Sequence, residues 1–222
     1  MRAHIEALFT HDDAGDLVRV NEPNGAPAPR FMLGKSAQAV TFRFRYDVDD
    51  ELRKELSAAA RSEDTHLDAP PNAAGYEAIL ARRAPVARTW SGPAFTFPSE
   101  IAESEHATLI TEANVELLRP LLAGWVPDVE LAQPMFALVV DRQAVSVCAS
   151  VRLTAHAHEA GVDTARAYRR RGYAACVAAA WARAVRDLGR TPLYSTSWQN
   201  EASRAVARQL GLIQFGCDLH IT

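Results

Sequence analysis

The stretch from Glu159 to Trp181, EAGVDTARAYRRRGYAACVAAAW, constrains this chain more than any other. A strand-like run ends at Thr164, a basic turn with a single glycine follows, and an alanine-rich helical segment begins directly after Gly172. A strand that passes through a glycine turn into a helix builds an anion site. The first amide N–H groups of the helix have no acceptor inside it, and the positive end of the macrodipole stands behind them. Glycine lets an anion approach the backbone closely, and successive amides can cradle it.

Composition narrows the kind of anion. The formal charge of −3 over 222 residues gives no general attraction to nucleic acid, so the basic cluster from Arg166 to Arg171 is local and suits a small polyanion. No apolar run approaches the ~18 residues needed to cross a bilayer, so no membrane partner is expected. The start, MRAHIEALFTHDD, has acids and histidines where a secretory signal would carry an apolar core, and a cytoplasmic protein is expected. Cys148, Cys176 and Cys217 are far apart, with no CxxC; they read as buried free thiols, and no metal site is expected.

The first half of the chain carries secondary-structure signals and no chemical motif. Residues 2–9 suit a short helix, Leu17 to Val20 a strand, and Phe31 to Leu33 with Val40 to Tyr46 a hairpin whose second arm alternates apolar and polar residues. Asp49 and Asp50 open a helix to about Ala60, Gly75 to Arg83 suits another, and Phe95 to Phe97 is an apolar patch bracketed by Trp90-Ser-Gly-Pro93 and Pro98. From His106 the pattern regularises: strand 107–110, helix 112–122, hairpin 135–140 and 145–153, strand 159–164, helix 173–188, strand 193–197, helix 201–210, and one or two final strands broken at Gly216. On helix 173–188 the larger residues Tyr173, Val177, Trp181 and Leu188 mark one stripe.

Arg169-x-x-Gly172-x-Ala174 after a short strand, Asn200 opening the next helix, and Gln-Leu-Gly-Leu at 209–212 closing it fall at the intervals of one family. From about residue 106 onward the chain resembles the GNAT superfamily of acyl-CoA-dependent N-acyltransferases, and Glu-Ala-Gly-Val-Asp-Thr, Tyr-Ser-Thr-Ser-Trp and Asn-x-x-Ser resemble a bacterial branch with an N-terminal extension. The resemblance implies an α/β (α+β) fold, a mixed and mostly antiparallel sheet flanked by helices. It divides the chain into an α+β extension, 1–104, and an acyltransferase domain, 105–222.

The resemblance also implies acetyl-CoA as cosubstrate, without a metal, and an amine acceptor; a homodimer stays open. Backbone amides from about Arg170 to Ala174 would hold the diphosphate, with Arg169, Arg170, Arg171, Gly172 and Tyr173 forming the loop. Val162, Asp163 and Thr164 would pair with the pantetheine arm as an added strand does. Asn200 would bond the pantetheine and Ser203 the phosphate region, although a helix cap alone explains Asn200. For the general base Glu159 is favoured, with His158 and His156 as alternatives; histidine has the better unperturbed pKa, a carboxylate the usual family position. Many relatives place a tyrosine where this chain has Ala207, so the proton for the departing thiolate would come from Tyr194, Ser195, Ser197 or solvent. The non-enzyme alternative is a domain that binds acyl-CoA as a regulatory ligand without turnover.

Overall fold

Alternating side chains in the first half of the chain build a sheet that the last strand of the sequence completes. In chain order the elements are α1 (Arg2–Leu8), β1 (Phe9–His11), β2 (Leu17–Val20), β3 (Phe31–Ser36), β4 (Val40–Phe44), α2 (Asp50–Arg61), α3 (Ala73–Ala81), β5 (Thr89–Thr96), β6 (Ala107–Leu109), α4 (Arg119–Leu122), β7 (Met135–Val140), β8 (Gln143–Leu153), β9 (Ala157–Thr164), α5 (Tyr173–Asp187), β10 (Thr191–Ser195), α6 (Glu201–Gln209) and β11 (Ile213–Ile221). Short 3-10 turns lie at Glu112–Leu117, Ala123–Asp128 and Arg166–Tyr168. This computed structural model describes residues 1–101 and 106–222. It is a mixed α/β fold on mostly antiparallel strands with flanking helices. Among the described residues no helix is long and apolar enough to cross a membrane.

Two units divide the chain: Met1–Phe95 with Ser195–Glu201 and Gln214–Thr222, and Thr96–Tyr194 with Ala202–Ile213. The boundary expected at 104 lies outside the described residues, and a single cut there does not describe the units. The first unit takes back the C-terminal strand, because β11 pairs antiparallel with β3 from Gly216↔Ser36 to Ile221↔Phe31.

In the first unit the strands run in the order β4-β3-β11-β5. Period-two alternation sends Phe31, Leu33, Leu219 and Ile221 to one face, where they pack with Leu52 and Leu56 of α2 and Tyr76 and Leu80 of α3. Met32 points the other way, toward Ile5 and Leu8 of α1. Asp49 caps α2 by accepting from the Leu52 amide at 3.0 Å. Gly216 does not break the last strand. A Cβ there would lie 2.4 Å from Met1 Cε and 2.5 Å from the Lys35 carbonyl, so the glycine is a packing requirement within a continuous β11. The Trp90–Pro93 bracket and the start of the apolar patch form β5, which the sequence reading did not assign to an element.

In the second unit the order is β10-β9-β8-β7-β6, antiparallel except for the parallel β9–β10 pair. The expected helix 112–122 is a 3-10 turn followed by the single turn of α4. Asn114 leaves helical geometry because its side chain accepts from the Thr111 amide and donates to the Leu109 carbonyl. On α5 the buried face is Ala175, Val177, Ala178, Ala179, Trp181, Ala182 and Val185. Leu188, expected on the apolar stripe, is 57% exposed, since it lies beyond the last helical residue. The alanines let the helix come close to the sheet, and Trp181 supplies the bulk.

Candidate active site

The chain enters α5 through two left-handed residues. Arg170 has φ 61° and Gly172, the N-cap, φ 79°. No side chain caps the helix, so the amides of its first turn keep their donors for something else. A Cβ at Gly172 would be strained by the backbone and would stand 3.2 Å from Gln209 Nε2, at the end of α6. Gln209 is a neighbour that the sequence reading took only as part of a helix-closing motif. Arg169 Nε donates to the Thr164 carbonyl at 3.0 Å, and the Arg171 guanidinium donates to the Ala167 carbonyl at 3.3 Å and lies 5.3 Å over the Tyr168 ring. Two of the three arginines therefore brace the loop that the third, Arg170, turns.

Upstream, β9 pairs along its length with β8: Thr164 with Ser146, Asp163 with Val147 and Val162 with Cys148. Its parallel register with β10 covers only Ala157–Thr191, His158–Pro192 and Glu159–Leu193, while β9 continues to Thr164. Two strands that share register at one end and part toward the loop form a wedge. Ser146 Oγ braces the open end, donating to the Asp163 carbonyl at 3.1 Å and lying 2.8 Å from Thr164 Oγ1.

Glu159 is 1% exposed at the paired end of β9, between Arg152 on β8 and Leu193 on β10 in register. His156 is exposed in the β8–β9 turn, its amide bonded to Thr154 Oγ1. His158 is buried, and both ring nitrogens are engaged: Arg190 Nη1 donates to Nε2 at 2.9 Å, and Nδ1 lies 2.9 Å from Ser150 Oγ. Burial, aided by the Arg190 charge, pulls its pKa down to about 4. The imidazole is thus held neutral with its lone pair committed to Arg190.

Tyr194 is 3% exposed, and its Oη lies 2.6 Å from Ser203 Oγ on α6. Burial pushes the phenol up to about 12, opposed by the Ser203 hydrogen bond and assisted by Cys148 and Glu159. Ser203, expected at the phosphates, is therefore joined to Tyr194. Ala207, one turn further along the same face of α6, is buried, so α6 offers no hydroxyl at that position. Ser197 and Asn200 belong to the Ser195–Glu201 segment of the first unit, where the Asn200 amide donates to the Ser197 carbonyl at 3.0 Å. That segment pairs with β5 through Thr196 N to Pro93 O at 3.3 Å and Trp198 N to Ser91 O at 3.2 Å. A Cβ at Gly92 would fall 1.7 Å from the Thr196 carbonyl, which fixes that residue as glycine.

Residues 136–216 match the family model of the GNAT acetyltransferases. This part of the chain is similar to the acetyltransferase domain of that family. Solved structures agree on the fold. A GNAT-family protein from Novosphingobium aromaticivorans is 16% identical, with a TM-score of 0.52 over 61% of this chain and 65% of its own. A GNAT-family acetyltransferase from Colwellia psychrerythraea is 14% identical, TM-score 0.53, over 82% and 75%. A GCN5-related N-acetyltransferase-like protein from Streptococcus suis is 18% identical, TM-score 0.53, over 89% and 85%. The chain thus spans just under two thirds of the first of these. No match was found among curated proteins. The matched stretch includes the wedge, the α5 loop, Glu159, Tyr194 and Ser203.

Proposed function

We propose that this chain transfers an acyl group, acetyl foremost, from coenzyme A to a primary amine while both substrates are bound. The observation that carries the reading is the start of α5: uncapped first-turn amides behind a loop in which Arg170 and Gly172 are both left-handed, within the GNAT match. This cradle fits a diphosphate. The backbone from Arg170 to Ala174 would receive it, with the Arg170 side chain adding a charge-assisted hydrogen bond worth roughly 1.5–3 kcal/mol. The wedge supports the same reading, because Val162 to Thr164 run on past the β9–β10 pairing and can bond the amides of a pantetheine arm as an extra strand would.

Acyl transfer needs an acceptor for the ammonium proton and a donor for the departing sulfur. Glu159 takes the first role, at the vertex of the wedge. Tyr194 takes the second, reaching from β10 to the α6 turn that carries Ala207; raised to about 12, its hydroxyl keeps its proton at neutral pH. The amine nitrogen forms a bond to the thioester carbon, the carbon–sulfur bond breaks, and the two protons move through these groups. His158 stays structural.

The test is release of free thiol from acetyl-CoA, measured over a panel of polyamines, amino acids and peptide N termini. Steady release that depends on the amine is expected. Glu159→Gln should lower turnover by roughly 10²–10⁴, with the loss shrinking from pH 6 to 9 as the amine arrives deprotonated. Wild-type rates for Glu159→Gln across that range would remove Glu159 from the reaction.

A further inference from the structure

We infer that the chain Arg190–His158–Ser150–Trp181, buried except for its half-buried arginine, is a positioning clasp, fixing the vertex from which β9 and β10 part and so the width of the opening beyond it. The inference rests on the acyl-CoA reading for its functional meaning, and on geometry for its existence.

The hydrogen bonds allow one arrangement of protons. Arg190 can only donate, so His158 Nε2 accepts, and the neutral ring carries its hydrogen on Nδ1 toward Ser150 Oγ. Trp181 Nε1 donates to the same Oγ at 3.0 Å. The serine oxygen thus takes two donors on its two lone pairs, and Arg190 Nη1 also reaches the Thr154 carbonyl at 2.9 Å. A second proton on His158 would set N–H against N–H beside a guanidinium, so the network exists only with the ring neutral.

Its members sit where the wedge is decided. His158 is the middle residue of the short β9–β10 register, and Arg190 immediately precedes Thr191, whose amide donates to the His156 carbonyl at 2.9 Å. Ser150 is the last β8 residue before the irregularity opposite Glu159, and its amide turns away to the Ala132 carbonyl at 3.0 Å. Trp181, fully buried, lies in the middle of α5, and Arg190 follows the left-handed Gly189 at the end of that helix. The helix whose first turn forms the phosphate loop is therefore tied to the vertex at two levels. An apolar core of the same volume would be about as stable; the polar chain adds direction, since each bond holds at one distance and angle.

The clasp is tested with His158→Leu, which fills the site without bonds, and His158→Gln, whose amide offers an acceptor to Arg190 and a donor to Ser150. Ser150→Ala breaks the same chain should the leucine variant fail to fold. Amide hydrogen exchange of the unliganded protein should quicken about tenfold at Ala157–Glu159 and at Thr191 and Leu193 in His158→Leu and stay near wild type in His158→Gln. Coenzyme A affinity by calorimetry should fall about tenfold in the first and less than about twofold in the second. Equal exchange and affinity in all variants, or a glutamine variant as impaired as the leucine one, would overturn the clasp. A wild type that does not bind coenzyme A would instead overturn the acyl-CoA reading, and the exchange data would still judge the clasp.

Discussion

The two units bury histidine in opposite ways. In the second, His158 accepts from an arginine and is kept neutral, its pKa drawn down to about 4 by burial and then by the Arg190 charge. In the first, His4 and His220 both turn Nε2 toward one oxygen of Asp218, at 3.2 and 2.9 Å. Asp218 is fully buried, and His220 is stacked on Trp90 with ring centroids 4.8 Å apart. Burial alone would raise that carboxyl, but His220 and His4 outweigh it and hold it well below the ordinary carboxylate range. The same side chain thus serves as acceptor beside a cation and as donor beside an anion. What decides is the neighbour, since a buried polar group must be matched or it costs its full desolvation. The first cluster is centred on a carboxylate; the second lies at the short β9–β10 register.

The contrast can be broken in three ways, in falling order of expected effect. Asp218→Ala should cost about 3–5 kcal/mol of unfolding free energy, because the buried His4 and the half-buried His220 lose their shared acceptor. Coenzyme A affinity measured on the folded variant should be unchanged. A loss under about 1 kcal/mol in urea titration would mean that the cluster is not a structural centre.

Acid separates the clusters next. The unfolded His158 ring titrates near 6.5 and the folded one near 4, so its contribution is whole above pH 6.5 and is lost as pH falls toward 4. At about 1.4 kcal/mol per unit the loss is at most about 3.5 kcal/mol. Asp218, with a depressed folded pKa, keeps its contribution through that window and gives it up only below the ordinary carboxylate range. The unfolding free energies of wild type and His158→Gln, close at pH 7, should therefore diverge toward pH 4.5, with wild type falling below the variant. Curves that stay parallel would show that His158 is not held neutral.

The phosphate loop sharpens the comparison from the ligand side. Gly172→Val forces a β-branched residue to φ near 79° and should cost the fold about 1–2 kcal/mol. Coenzyme A affinity should fall about 10²-fold, since displaced amides no longer meet the diphosphate. Equal affinities in a calorimetric titration would leave Gly172 as a helix-entry residue only.

How much of this could be read from the chain follows from how local each feature is. The α5 loop was legible because strand, glycine turn and alanine helix are consecutive, and the α2 cap because Asp49 lies three residues from the amide it accepts. The helix expected at 112–122 failed on one side chain, Asn114, that bonds backward. The division of the first unit was hidden because β11 pairs with β3 across most of the sequence, and no periodicity reports a partner that distant. The His158 network was equally hidden. Arg190, His158, Ser150 and Trp181 are ordinary residues in the sequence and acquire their roles from the packing of α5, β8 and β9. Histidines 156 and 158 looked alike as bases, but the paired end of β9 is covered on both faces and buries His158, while His156 lies exposed in the turn before it.

The central claim is that the α5 loop receives acyl-coenzyme A, and thermal unfolding with and without coenzyme A tests it most directly. A ligand that binds only the folded state at a hundred times its dissociation constant stabilises by about 2.7 kcal/mol. For a chain of this length that raises Tm by roughly 5–10 °C. We expect such a rise for wild type at millimolar coenzyme A, and little of it for Gly172→Val. An unchanged wild-type Tm at that concentration would contradict the account.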